Sequence, residues 1–261
     1  MMEKILDQAT DLMRRCGQII LTADRGHALI DEKEGRGNFV TSYDRKVQAV
    51  LKEGLHEIFP EAAFVGEEDA IRDYHAAEYS FIVDPIDGTA NFIRNMHHSA
   101  VSVALMRNGQ SVAGAVYDPY MDEMYTAIRG KGACLNGSAI RVSPWPLEEG
   151  IILVGTAPYN ASLHGKSMDL ASRLLDVGLD IRRRGSAALD LCTIAAGRAE
   201  VFFEYSLAPW DHAAGGLIVT EAGGFVTRIG GGEPLYDSTC SILAVNGAAK
   251  EEVWRICEGR A

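Results

Sequence analysis

Five short apolar runs with turn residues between them constrain the fold of this chain more than any other feature. They lie at 63–65, 81–83, 101–105, 112–117 and 124–127. Several alternate apolar and polar residues, as the strands of a half-exposed antiparallel sheet do. Gly109 and Gly130 suit turns between strands, and Asn136-Gly137 is typical of a β-hairpin. Residues 63–127 are therefore predicted to form an antiparallel sheet.

Helices are predicted before this region. Apolar residues at helical spacing indicate an amphipathic helix that ends before Gly26, and a second helix over 42–59 that stops at Pro60. The charged, glycine-containing stretch 31–38 between them predicts a mobile surface loop.

After residue 146 strands and helices alternate. Strands are predicted at 151–154, from 181, at 201–203 and at 241–245, and helices at 167–175, 187–196, 211–222 and 250–257. The proline-rich stretch 143–150 predicts a junction between an N-terminal half, 1–146, and a C-terminal half, 147–261, of one domain over 1–261. The predicted fold class is α+β or layered α/β, with helices covering the sheets.

Charge and composition exclude several classes of protein. The chain has 25 Lys and Arg against 36 Asp and Glu, a net charge of −11, which argues against nucleic acid as a partner. We expect no membrane partner, because no apolar run approaches the roughly 20 residues of a membrane span. The N-terminus does not resemble a signal peptide, and the five scattered cysteines suit reduced thiols, so a cytoplasmic location is predicted.

Carboxylates follow several of the predicted strands. Glu67 comes after one apolar run, Asp84 and Asp87 after another, and Asp211 after a third. Converging carboxylates need a compensating charge, and hard oxygen ligands suit Mg²⁺. Each also has a simpler interpretation: a solvated loop for Glu67, a turn for Asp84 to Asp87, and a helix N-cap for Asp211.

Four spaced motifs together resemble the inositol monophosphatase family. They are Val40-Thr-Ser-Tyr-Asp44, Gly66-Glu-Glu68, Asp84-Pro-Ile-Asp-Gly-Thr-Ala-Asn-Phe92, and Trp210-Asp-His-Ala-Ala-Gly215 with Thr220-Glu-Ala-Gly-Gly224 after it. The resemblance covers roughly residues 30 to 250, with the motifs in the family's order.

The resemblance implies an α-β-α-β-α sandwich of the inositol monophosphatase/fructose-1,6-bisphosphatase type. It also implies a magnesium-dependent, lithium-sensitive phosphomonoesterase that forms a homodimer. Two or three Mg²⁺ ions would be held by Glu67, Asp84, the carbonyl of Ile86, Asp87 and Asp211. In the family pattern Glu67 and Thr89 orient a metal-activated water, and Asp44 accepts a proton from Thr89.

The same resemblance places the substrate. The implied substrate-binding residues are Asp87, Gly88, Thr89, Gly185, Ser186, Ala187, Glu204 and Asp211. Glu204 suits a polyol, because a carboxylate accepts hydrogen bonds from two neighbouring hydroxyls. The simpler interpretations are an exposed strand position for Glu204 and a helix N-cap for Ser186. Lys33 would approach the site from the loop.

The predicted substrate is a small phosphorylated polyol or sugar, with inositol 1-phosphate leading. Fructose 1,6-bisphosphate is the first alternative, with Arg182 to Arg184 as contacts for its second phosphate. Histidinol phosphate and 3′-phosphoadenosine 5′-phosphate are further alternatives, although no aromatic cluster in the sequence clearly supplies an adenine platform. A catalytically silent regulator on the same fold is the alternative from another class.

Overall fold

The computed structural model describes residues 1–33, 39–69 and 77–259. The α-helices in this part of the chain are Met2–Leu21 (α1), Ser42–Ile58 (α2), Thr89–Ile93 (α3), Ala161–Leu175 (α4), Ala187–Ala195 (α5), Pro209–Glu221 (α6) and Lys250–Cys257 (α7). Among these described residues no helix is both long and apolar enough to cross a membrane.

The strands of the described residues form two large sheets and one hairpin. The hairpin pairs Ile30–Glu32 (β1) with Phe39–Thr41 (β2). The seven-stranded sheet runs, in spatial order, through Ala63–Gly66 (β3), Tyr79–Asp87 (β4), Ala100–Arg107 (β5), Gln110–Asp118 (β6), Glu123–Ile128 (β7), Gly132–Leu135 (β8) and Ser138–Ile140 (β9). The five-stranded sheet uses Ile151–Val154 (β10), Asp180–Arg182 (β11), Val201–Leu207 (β12), Phe225–Thr227 (β13) and Cys240–Val245 (β14), in the order β11-β10-β12-β14-β13.

Five layers result, because each sheet buries both of its faces. On β4, Phe81 and Val83 pack against α1 and α2, whereas Ile82 points to the opposite face and packs against α5 and α6. On β12, Phe202 packs against the same two central helices, and Phe203 packs on the far side against α4 and α7. The order helix, sheet, helix, sheet, helix confirms the predicted α-β-α-β-α sandwich.

The central helix α6 is buried along nearly its whole length, as an almost entirely apolar helix must be. It approaches the seven-stranded sheet closely at Gly114 of β6, where an added Cβ would lie 3.0 Å from the Cα of Ala214. Glycine at 114 therefore allows α6 to lie against the sheet, and this contact fixes where the first turn of α6, with Asp211, meets the end of β4.

Each of the five apolar runs forms a strand, and the predicted antiparallel pairing is confirmed for the four runs from 81 onwards, since β4 to β9 pair in antiparallel fashion. Asn136 and Gly137 form the turn between β8 and β9, with φ of 48° and 78°. Strand β3 pairs in parallel with β4, which the alternation of apolar residues could not show.

Several elements differ from the prediction. Helix α4 begins at Ala161 rather than 167, because Asn160 caps it ahead of residues 161–166, which are exposed or half-buried and show no apolar periodicity. Helix α6 begins at Pro209 rather than 211, and strand β13 was not predicted because it has only three residues. Of the loop predicted over 31–38, residues 34–38 lie outside the described residues, and residues 31 and 32 belong to β1.

Candidate functional site

A cleft of about 290 Å³ opens between the two sheets, and residues from both halves of the chain line it. The ends of β4 and β12 and the first turns of α5 and α6 meet there. Most of the predicted site residues lie on this cleft, which makes it the candidate site.

Asp84 and Asp87 reach one locus because β4 is irregular at its end. The pairing of β4 with β5 shifts register between these two residues, where Pro85 and Ile86 interrupt the ladder. Asp84 Oδ1 accepts a hydrogen bond from the Ile86 N–H at 3.0 Å across this irregularity. The simpler interpretation of Asp84 to Asp87 as a turn is wrong, because all four residues belong to β4, and the irregular end of the strand aims both carboxylates into the cleft.

Asp211 comes to the same locus from the other half of the chain. It was a candidate N-cap, but this interpretation is wrong because α6 starts earlier, with Pro209 in its first turn. Asp211 is instead the third residue of the helix, and its Oδ2 accepts the Ala208 N–H at 2.7 Å. That bond fixes one carboxylate oxygen and leaves the other for the cleft.

One ligand atom each from Asp84, Asp87 and Asp211 lies within 4.8 Å of the other two. Burial, together with the charges of neighbouring carboxylates, raises the pKa of Asp84 and Asp211 well above the ordinary value, and the pKa of Asp87 is raised to about 6. The negative charges of such a cluster repel one another when its carboxyl groups are ionised, unless a cation neutralises them. Three carboxylates of this kind fit the preference of Mg²⁺ for oxygen ligands.

Glu67 lies beside this cluster rather than in it. Its N–H donates to the Val83 carbonyl at 3.0 Å, which ties the residue after β3 to β4. Lys33 Nζ contacts the carboxylates of Glu67 and Glu68 at 2.7 and 2.5 Å. The solvated-loop interpretation of Glu67 does not hold, because its carboxylate is ion-paired and lies next to Asp84, whose pKa its charge raises.

Thr89 links the cleft to a buried carboxylate on α2. Its hydroxyl lies 3.1 Å from Asp44 Oδ1 and 3.1 Å from the Ile86 carbonyl oxygen. Asp44 is held by the cap of α2, where its Oδ2 accepts the Thr41 N–H at 2.8 Å. Burial raises the pKa of Asp44, which the bonds from Thr41 and Thr89 oppose. The predicted pairing of Thr89 with Asp44 is therefore present.

Gly88 precedes α3 in the left-handed conformation, with φ of 88°. A side chain there would also meet the carbonyl oxygens of Gly185 and His98 at 3.1 Å. The two halves of the chain thus approach each other at this glycine, in the wall of the cleft.

The segment 185–187 is joined directly to the acidic cluster. The Ser186 hydroxyl donates to Asp87 Oδ2, and the Ala188 N–H reaches the same oxygen at 2.9 Å. Ser186 also caps α5 by accepting the Leu189 N–H, so the capping interpretation holds at the same time. Gly185 and Ala187 line the cleft beside it.

Glu204 is not an exposed strand residue, because it is only 8% exposed and faces the cleft from β12. Its Oε1 accepts the Ala157 N–H at 2.7 Å. Burial raises the pKa of Glu204 to about 7.

The side chains of the three consecutive arginines have different surroundings. Arg182 pairs with Asp180 at 2.5 Å on the exposed edge strand, and Arg184 pairs with the buried Asp190 at 2.8 Å. Arg183 lines the cleft. Of the three, Arg183 is therefore the one placed to meet a ligand.

Three aromatic residues that the sequence analysis did not assign to the site also line the cleft: Phe39, Tyr159 and Trp210. The position of Trp210 next to Asp211 was a usable signal. Tyr159 lies in the loop after β10, where no periodicity marked it, and Phe39 comes from the small hairpin.

A layered α-β-α-β-α sandwich with a carboxylate cluster between its two sheets defines the class of this protein. The chain belongs to the inositol monophosphatase family, whose model matches residues 1–259. This membership confirms the resemblance carried by the four sequence motifs.

The chain is 37% identical to the Nus factor SuhB of Vibrio cholerae over 239 residues, 91% of this chain and 90% of that protein. The crystal structure of the extragenic suppressor protein SuhB from Bartonella henselae matches with a TM-score of 0.91 and 34% identity, covering 97% of this chain and 98% of that one. The inositol monophosphatase TM1415 of Thermotoga maritima matches with a TM-score of 0.87 and 32% identity, covering 98% and 97%.

Proposed function

We propose that this protein hydrolyses a small phosphate monoester with the help of Mg²⁺, and that inositol 1-phosphate or a related polyol phosphate is its substrate. The observation that carries the proposal is the cluster of Asp84, Asp87 and Asp211 at the cleft, whose mutual repulsion a bound divalent cation would relieve. An IMPase/NADP phosphatase that is 26% identical to this chain has been crystallised with Mg²⁺ and phosphate.

The cation ligands in this proposal are Asp84, Asp87 and Asp211, with Glu67 and the Ile86 carbonyl beside them. Each of the three aspartates has one oxygen held by a backbone N–H and keeps a second oxygen for a cation. Bound Mg²⁺ supplies charge neutralisation at the phosphate and leaving oxygens and lowers the pKa of water. Two or three ions per site remain the expected number.

Thr89 and Asp44 provide a route for a proton. The Thr89 hydroxyl can accept a hydrogen bond from an attacking water while donating its own proton towards Asp44 Oδ1, 3.1 Å away. Because the pKa of Asp44 is raised by burial, its carboxylate is a better proton acceptor than an exposed aspartate. Glu67 would orient the same water.

The remaining contacts belong to the phosphate and the alcohol. Gly88 and Thr89 offer backbone N–H groups to the phosphate, next to the cation-binding aspartates. Gly185, Ser186 and Ala187 border the leaving group. Glu204 accepts hydrogen bonds from its hydroxyls, for which its buried position between the sheets suits it.

Inhibition by Li⁺, a homodimer and a cytoplasmic location complete the proposal, as the family resemblance implies. The net charge of −11 supports the absence of a nucleic-acid partner.

The test is phosphate release with Mg²⁺ from inositol 1-phosphate, fructose 1,6-bisphosphate, histidinol phosphate and 3′-phosphoadenosine 5′-phosphate. A preference of about a hundredfold in kcat/KM, or about 2.7 kcal/mol, would identify the substrate class. Asp87→Asn should abolish release from every ester, with Asp7→Asn, an exposed substitution on α1, as the matched control. Unchanged turnover in Asp87→Asn would contradict the metal assignment.

A second candidate, the catalytically silent regulator, is favoured by the name of the relatives. Proteins 37% identical to this chain over more than nine-tenths of its length are called Nus factor SuhB, which is not the name of an enzyme. If calorimetry shows that Mg²⁺ binds and no ester releases phosphate, this candidate replaces the first.

A further inference from the structure

The segment from Gly155 to Tyr159 borders the alcohol side of the cleft and packs directly on Glu204. The Gly155 N–H donates to the Phe203 carbonyl at 2.8 Å, which continues β10 beside β12. A Cβ added to Gly155 would lie 2.0 Å from Glu204 Oε2. Glu204 therefore packs tightly against this segment, and only a glycine at 155 leaves room for its carboxylate.

Ala157 has an unusual backbone for an alanine. It is fully buried, and its φ of 41° lies in the left-handed region that favours glycine. Such a conformation persists only where the surrounding structure enforces it. Here it directs the Ala157 N–H to Glu204 Oε1 at 2.7 Å and turns the chain so that Pro158 and Tyr159 line the cleft.

Tyr159 contributes its ring rather than its hydroxyl to the cleft. The hydroxyl lies 3.2 Å from the Ser206 carbonyl oxygen, to which it donates. Burial and the charges of Asp211 and Glu204 raise the pKa of Tyr159, so the hydroxyl stays protonated and keeps this bond. The residue is 38% exposed and lines the cleft, where a ligand can reach it.

We propose that Tyr159 is a specificity-determining residue that selects a ring-shaped leaving group. A cyclic polyol has C–H groups that can pack on an aromatic ring while its hydroxyls reach the carboxylate of Glu204. A short acyclic polyol can satisfy Glu204 but has little apolar surface to place on Tyr159. This inference rests on the proposed function and adds the shape of the alcohol to it.

The experiment compares two esters with the same reacting group. Inositol 1-phosphate and glycerol 2-phosphate are both monoesters of secondary alcohols, so the aspartate cluster meets the same chemistry in each. Tyr159→Leu should lower kcat/KM for inositol 1-phosphate about tenfold, equivalent to about 1.4 kcal/mol, and change the value for glycerol 2-phosphate by less than about twofold. Tyr159→Phe keeps the ring and should retain the wild-type ratio of the two values.

The ratio separates selection from damage to the fold. Equal losses on both esters, or no change on either, would overturn the inference, since a disturbed structure affects both esters alike. If the wild-type protein hydrolyses neither ester, the proposed function fails, and calorimetric binding of the same two esters with Mg²⁺ decides the inference. A tenfold weaker Kd in Tyr159→Leu for inositol 1-phosphate alone would support it, and an unchanged ratio of Kd values or no binding would reject it.

Discussion

The two sides of the cleft are built differently. The cluster of Asp84, Asp87 and Asp211 lies at the end of β4, an interior strand of the seven-stranded sheet, and in the first turn of a buried helix. The opposite side, around Glu204 and Tyr159, depends on a loop whose course is set by the left-handed conformation of Ala157.

This difference shows how one fold can keep a reaction and change its substrate. The aspartates sit on a strand and a helix that are packed into the core, so their positions tolerate little change without loss of that packing. The loop carries the ring of Tyr159 outside any strand or helix, where substitutions are accepted more readily. We expect variants of the acidic cluster to affect all esters alike and variants of the loop side to affect the choice between esters.

Beyond Asp87→Asn, the largest effect is expected for Asp211→Asn. Losing one carboxylate of the cation site should lower kcat/KM for every ester by about a thousandfold, since metal stabilisation of the transition state is worth several kcal/mol. Without Mg²⁺, the same variant should melt at a higher temperature than the wild type at pH 8, because a repelling charge is gone. Lower activity accompanied by a lower metal-free melting temperature would point to damaged folding instead.

A smaller loss of activity is expected when the hydrogen bond between Thr89 and Asp44 is removed. Thr89→Val removes the hydroxyl that joins the cleft to Asp44 and should lower kcat by about a hundredfold, within the range of general acid–base catalysis. Thr89→Ser keeps the hydroxyl and should recover most of the rate. Steady-state kinetics on one ester suffices, and equal rates for the Val and Ser variants would remove Thr89 from the mechanism.

On the alcohol side of the cleft, Glu204→Gln should change the choice between esters. It weakens the bonds to substrate hydroxyls and should lower kcat/KM for inositol 1-phosphate about tenfold, because hydrogen bonds to a charged group contribute about 1.5–3 kcal/mol. The matched control is Glu148→Gln, an exposed residue before β10. The contrast between the two sides breaks down if Glu204→Gln lowers the rates on all esters as much as Asp211→Asn does.

The smallest effect is expected in the pH dependence of the free energy of unfolding. In the metal-free protein the pKa of Asp87 is about 6 and that of Glu204 about 7, above those of the unfolded chain. The native state therefore holds protons that the unfolded state has released, and the free energy of unfolding falls as pH rises from about 4 to about 7. Scanning calorimetry should show Mg²⁺ raising the melting temperature by about 5 °C more at pH 8 than at pH 5.

Sequence patterns predicted the antiparallel sheet because its strands alternate with a period of two, and the motifs placed Asp84, Asp87 and Asp211 together. They did not predict that α4 begins at Ala161, since residues 161–166 show no apolar periodicity. Tyr159 was missed for a different reason. Its place in the cleft depends on the backbone of Ala157 and on contacts with β12, neither of which leaves a pattern in the neighbouring residues.

Helix α6 contacts both sheets and carries Asp211, whereas Asp84 and Asp87 belong to the seven-stranded sheet. A cation held by all three would thus clamp together parts of the chain more than a hundred residues apart. Because a ligand bound only by the native state enters the folding equilibrium, each tenfold rise in free cation beyond saturation adds about 1.4 kcal/mol to stability. Resistance to proteolysis then becomes a gauge of free magnesium, independent of turnover.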